Sequence, residues 1–222
     1  MTEKYRENRL KEWIKTTLKY HIADSTAMII ESTPVFAVFE TGIADISDDV
    51  SLNARFIAAG TIYGGVGWIY GKCRDLWRKG FHINNETKEK VQQLHDFVYT
   101  GVFNLGLLPA LYFAAGTRDI KEMAIGTGVG ALVGAINGLP MGYAVDALRD
   151  LTGLKSCERK SYPQIIQKQS RNAKKGLAAM VGVASIGLTS AVYAVTSDNS
   201  QEVLEQTAPY TTNSTLNEVL EK

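Results

Sequence analysis

The chain has 222 residues, with 24 Lys and Arg against 23 Asp and Glu and a formal net charge of +1. That balance argues against a nucleic-acid binder, which carries a marked basic excess, and the length is ordinary for one domain. Two cysteines, Cys73 and Cys157, are too few for a disulfide framework, and His21, His82 and His95 lack metal-ligand spacing, so neither a metal nor another cofactor is expected.

The mean hydropathy of −0.08 hides a strong segregation, because charge is packed into a few blocks and nearly absent between them. Residues 1–20 are charged throughout and lack the apolar core of a signal peptide. Within them Leu10, Trp13, Ile14, Thr17 and Leu18 share one helical face. An interfacial helix on the cytoplasmic leaflet accounts for that pattern, and so does a solvated N-terminal helix. Five stretches then approach the roughly 20 apolar residues needed to cross the hydrocarbon: residues 22–43, 56–73, 95–116, 123–147 and 176–196. The second is short and rich in glycine. Residues 197–222 are polar and are expected to be flexible; Asn213-Ser214-Thr215 in them is a glycosylation acceptor triplet.

The connecting segments test this reading independently. Lys and Arg collect in cytoplasmic loops. They crowd the segment before the first stretch, the one between the second and third (Arg74, Arg78, Lys79, Lys88, Lys90), and the one between the fourth and fifth (Lys155, Arg159, Lys160, Lys168, Arg171, Lys174, Lys175). The remaining loops and the tail are acidic or balanced. Strict alternation implies a multi-pass membrane protein, with a cytoplasmic N-terminus, an external C-terminus and a lipid bilayer as its solvent.

Gly126, Gly130, Gly134, Gly138 and Gly142 recur every four residues, and Gly60, Gly64, Gly67 and Gly71 form two shorter stripes. Small residues at this spacing let helices approach closely in lipid, and a smooth seam also suits helices that rock in alternating access. A weak repeat accompanies them. Gly67-Trp68 precedes Arg74-Asp75-Leu76 by the spacing at which Gly142-Tyr143 precedes Arg149-Asp150-Leu151, Asp24 and Asp96 open the preceding stretches, and Pro34 and Pro109 interrupt them. The expected fold is an all-α polytopic membrane bundle: two parallel-repeat helical hairpins, a fifth transmembrane helix and the N-terminal amphipathic helix.

Charged groups within a span are costly and point to function. Glu31 lies seven positions after Asp24, on the same face and about 10 Å deeper at 1.5 Å per residue. A carboxylate there is suited to taking up and releasing a proton, or it pairs with an arginine or lines a wet vestibule. Asp24, Arg74, Asp75, His95, Asp96, Asp146, Arg149 and Asp150 fall at one depth. Such a collar anchors helix ends, or serves as a gate or a cradle for a zwitterion. Pro34, Pro109 and Pro140 free carbonyls within the spans, and with Ser32, Thr33, Asn104 and Asn137 they supply polar points near mid-membrane, where transporter sites lie. No nucleotide loop or nucleophile–base set appears, so enzymatic activity has no support.

Three motifs occur in order and spacing: Ala23-Asp24-xx-Ala27-Met28, Tyr70-Gly71-xx-Arg74-Asp75-Leu76, and Gly142-Tyr143-xx-Asp146-xx-Arg149. Together they resemble the L-alanine exporter (AlaE) family of small four-helix inner-membrane proteins of prokaryotes, over residues of about 20–155. The resemblance implies export of L-alanine or a similar small neutral amino acid, driven by the membrane potential or proton gradient. Carried over by position, it points to Asp24, Tyr70, Arg74, Asp75, Tyr143, Asp146 and Arg149. The family pattern has proline before Tyr-Gly, where this chain has Ile69. The chain then divides into the amphipathic helix 1–20, an exporter-like domain 21–155, a basic cytoplasmic linker 156–175, the fifth span 176–196 and an external tail 197–222. The competing classes are a membrane scaffold or sensor and a small-solute channel. A homodimer would enlarge the volume that short helices enclose, and no motif specifies one.

Overall fold

The computed structural model describes residues 3–42, 48–84, 86–114 and 120–207. The sequon Asn213 and the end of the tail lie outside them, as do the residues around Asp45 and those at 115–119. The described residues are helical almost throughout, with no strand among them. The elements are α1 (Glu3–Gly42), α2 (Asp48–Thr61), a π-helical turn (Ile62–Val66), α3 (Gly67–Gly80), α4 (Glu89–Ala114), α5 (Ile120–Leu151), a short α6 (Gln164–Gln167) and α7 (Arg171–Thr207).

The amphipathic segment and the first apolar stretch form one unbroken helix rather than two elements. No glycine or proline interrupts α1 before Pro34, and a change of solvent alone does not bend a helix. Its 40 residues span about 60 Å, twice the thickness of the hydrocarbon. Pro34 has no N–H, which leaves the carbonyl four residues earlier without its helical donor. The Ser185 hydroxyl of α7 donates to that carbonyl, on Ile30, at 2.7 Å, and so docks α7 on α1.

The second apolar stretch is broken rather than continuous. Gly65 has φ 137° and ψ −23° inside the π-turn, a conformation that glycine alone adopts without strain. Two carbonyls loosened there are taken up by α1: Ser25 Oγ donates to Ile62 O at 3.2 Å, and His21 Nε2 to Tyr63 O at 2.8 Å. Past the kink, Gly67 and Gly71 lie flat on α1. A methyl group on Gly67 would sit 2.9 Å from Ser25 Cα, and one on Gly71 2.7 Å from Asp24 Cγ. At Gly60 and Gly64, in contrast, an added methyl group would meet nothing within 4 Å among the described residues.

The α4–α5 pair is the most extensive packing, and α1 lies against α3, α5 and α7. On α5, Gly134, Gly138 and Gly142 face α4, seated on Asn104, on Thr100 and on Asp96. Gly130 is half-buried, and the surroundings of Gly126 lie outside the described residues. On the same helix Ile125, Val129, Leu132 and Ile136 are all more than half exposed. Asp24, Arg74, Asp96 and Arg149, in contrast, are at most 1% exposed. Charge inside and aliphatic stripes outside invert the order of a water-soluble protein. Among the described residues, three stretches are long and apolar enough to cross a membrane: Arg6–Phe39, Met123–Leu151 and Arg171–Thr196.

Candidate functional site

Five helices bring their charged residues to one end of the bundle. Arg149 on α5 reaches α1 and α3. Its Nε and Nη2 donate to the two Asp24 oxygens at 2.6 and 2.7 Å, and Nη1 donates to Asp75 at 2.8 Å. The Tyr20 ring lies against its guanidinium, 5.2 Å away. Arg74 on α3 reaches in the opposite direction. It donates to both oxygens of Asp96 on α4 (2.9 and 3.0 Å), to both oxygens of Asp146 on α5 (2.9 and 3.0 Å) and to the Gly142 carbonyl (3.0 Å). Each arginine therefore neutralises the carboxylates of the other half of the bundle, with α1–α3 as one half and α4–α5 as the other. Glycine makes this possible. Gly71 and Gly142 leave room for the Asp24 and Asp96 carboxyls, which side chains at those positions would overlap.

Two further arginines close the lattice. Arg78 donates to Asp146 at 3.0 Å and to Gln92 at 2.7 Å. Arg159 lies beyond α5, yet it is 4% exposed, with Nε on Asp146 at 2.8 Å and Nη2 on Asp96. Burial opposes its charge, but Asp146 and Asp96 outweigh that and hold the guanidinium above its ordinary value. Lys174 pairs with Asp150 at 2.8 Å, and Tyr162 donates to the same carboxylate at 3.0 Å. Burial, helped by Asp150, pushes the Tyr162 hydroxyl up, and burial pushes the Cys157 thiol up to about 11. Such pairs hold in a poorly solvated interior only with good geometry and further hydrogen bonds, and loss of one partner costs about 3–5 kcal/mol.

Above the lattice opens a cavity of about 750 Å³, walled by Trp13, Tyr20, Trp68 and Lys72 and floored by Asp24, Asp75, Asp146, Arg149 and Arg159. It is far larger than one small amino acid and has the character of a vestibule. Below the lattice lies an aromatic layer. Tyr70 is buried against Tyr99 and Phe103, with its hydroxyl on Thr100 at 2.8 Å and its carbonyl accepting from Tyr99 at 2.6 Å. One turn deeper, Asn137 of α5 donates to Glu31 Oε2 of α1 at 3.1 Å, while Glu31 Oε1 is buried with no hydrogen-bond partner.

The structure thus brings together Asp24, Arg74, Asp75, Asp146 and Arg149 of the residues expected from sequence. Tyr143 joins them through Arg159, its ring 5.6 Å from that guanidinium. Tyr70, Glu31, Asn104 and Asn137 do not reach the vestibule and lie in the layers beneath it. The expectations singled out neither Arg78, Gln92 and Tyr99 nor Arg159. Arg159 sat unmarked in a basic stretch whose lysines carry the same topological signal.

The L-alanine exporter (AlaE) family model matches residues 14–155, well over half of the chain. The match begins inside the amphipathic part of α1, and so takes in the vestibule wall of Thr16, Thr17 and Tyr20. No curated protein and no solved structure matches the chain. With charges buried, apolar helices outward and this match, the protein is a multi-pass membrane protein, and it belongs to the L-alanine exporter family.

Proposed function

We propose that the chain exports L-alanine or a similar small neutral amino acid by alternating access, drawing on the proton-motive force, with the vestibule facing the cytoplasm. The observation that carries this reading is the vestibule floor, where Asp24, Asp75 and Asp146 lie beside Arg149 within one cavity. A zwitterion needs an anion for its ammonium and a cation for its carboxylate, and such a floor offers both. The bundle crosses the bilayer five times, with its N-terminus inside and its C-terminus outside, as the alternation of basic loops requires. The halves α1–α3 and α4–α5 rock against each other on glycine faces, and the exchanged arginines latch the inner end.

Glu31 is the proton carrier in this scheme. It is a half-partnered carboxyl beneath the lattice and its aromatic layer, within reach of a proton passing between the halves. Counterflow of labelled L-alanine in proteoliposomes, with and without a pH gradient, tests the reading. Saturable counterflow stimulated by the gradient is expected. Non-saturable flux would mark a channel, absence of flux a scaffold, and flux indifferent to the gradient would remove the proton coupling.

A further inference from the structure

We propose that Asp96 and Asp146 form the subsite for the substrate's α-ammonium group, and that Arg159, brought in on the strap 155–169, occupies that subsite as a tethered competitor. The proposal rests on the reading of the chain as an amino-acid exporter. Three arginines converge on this carboxylate pair. Arg74 and Arg78 are fixed on α3, in the core of the bundle. Arg159 alone comes from a non-helical stretch, past residue 155 where the family match ends.

Its seat is built but incompletely satisfied. Arg159 is almost wholly buried between the two carboxylates and the Tyr143 ring, yet its Nη1 has no hydrogen-bond partner. A buried donor left without a partner weakens the hold on the group that carries it. A primary ammonium, smaller and with three donors, meets the same two carboxylates and the same ring without an orphan, and an aromatic face attracts either cation.

Access follows the same logic. Asp96 is fully buried and does not reach the vestibule, whereas Asp146 and Arg159 do. Arg159 stands between Asp96 and the vestibule. The lattice counts five carboxylates (Asp24, Asp75, Asp96, Asp146, Asp150) and five cations (Arg74, Arg78, Arg149, Arg159, Lys174). Withdrawal of Arg159 leaves it one positive charge short, and the ammonium restores the balance while Lys72 on the vestibule wall, outside that count, faces the substrate carboxylate. The strap is held to the bundle by Tyr162 on Asp150, Ser161 on Glu89 and Ile166 against the core, while Gln167 on the Cys157 carbonyl ties the strap to itself.

Cys157, 1% exposed at the root of the strap, reports its lifting. In reconstituted Cys73→Ser protein, L-alanine is expected to speed maleimide labelling of Cys157 several-fold. L-alanine methyl ester, which keeps the ammonium and lacks the carboxylate, should do the same, and L-lactate, which lacks the ammonium, should not. Arg159→Gln should label rapidly without ligand and reach half-maximal counterflow at a several-fold lower alanine concentration. Should that variant fail to fold, the labelling arms on the protein with Arg159 intact decide the matter. Labelling indifferent to L-alanine in protein that exchanges alanine would overturn the strap alone, and an equal response to lactate would overturn the ammonium assignment. Absence of alanine counterflow in the Cys73→Ser protein would instead overturn the exporter reading.

Discussion

A methyl group added at two glycines of the same segment should have opposite effects. At Gly71 the new Cβ would lie 2.7 Å from Asp24 Cγ and 3.0 Å from Arg149 Nη2, where carbon contacts are comfortable at about 3.5–4.0 Å. The Asp24 carboxyl must move, and with it go the two hydrogen bonds of 2.6 and 2.7 Å to Arg149. Two hydrogen bonds to charged groups at about 1.5–3 kcal/mol each make about 3–6 kcal/mol, and a broken buried pair costs about 3–5 kcal/mol, so the loss is about 3–5 kcal/mol. The better helix propensity of alanine returns about 1 kcal/mol, which leaves Gly71→Ala destabilised by about 2–4 kcal/mol. At Gly60 nothing lies within 4 Å, so Gly60→Ala keeps only the propensity gain and should be neutral or more stable by up to about 1 kcal/mol. Thermal unfolding of the two purified variants in one detergent, followed by tryptophan fluorescence, measures both. Shifts of the same sign and size would refute the claim that glycine is required where it seats an aspartate.

Other substitutions probe the remaining contacts. Arg149→Lys keeps the charge but loses the two-pronged grip on Asp24, and alanine counterflow should fall at least about tenfold, as one hydrogen bond to a charged group implies. Glu31→Gln should abolish stimulation of uptake by a pH gradient while counterflow without a gradient persists; persistent stimulation would clear Glu31 of proton coupling. Ser185→Ala leaves the Ile30 carbonyl without its donor and should lower the unfolding free energy by about 0.6–1.7 kcal/mol, read in the same thermal assay. The Cys157 thiol, ordinarily titrating near 9.0, is held at about 11 by burial. Folding therefore favours its protonated form, a contribution complete below pH 9 and lost as pH rises toward 11. Maleimide should label exposed Cys73 at neutral pH, with buried Cys157 following far more slowly when no ligand is present.

The charged end of the bundle was legible before any coordinates, because a carboxylate or guanidinium in an apolar stretch must find a partner. Asp24, Arg74, Asp75, Asp146 and Arg149 all do so with one another. Their pairing was not legible, since the two arginine motifs look alike and nothing local tells Arg74 to choose Asp96 and Asp146 over Asp24. The kink was hidden for a related reason. Gly60 with Gly64 and Gly67 with Gly71 read as two packing stripes on one helix, whereas a positive φ at Gly65 separates those that touch α1 from those that do not. Arg159 was invisible because its function depends on which carboxylates the strap reaches, a long-range property that a run of lysines and arginines does not encode.

The crossed pairing of Arg74 and Arg149 has a consequence for how the chain could be cut. On either side of residues 81–88, which join α3 to α4, each of these arginines has its carboxylates on the other portion, Arg74 on Asp96 and Asp146 and Arg149 on Asp24 and Asp75, so each portion alone would take mismatched charge into lipid. Expressed separately, the portions should be degraded; expressed together, they should rescue one another, each the other's chaperone by virtue of a single side chain.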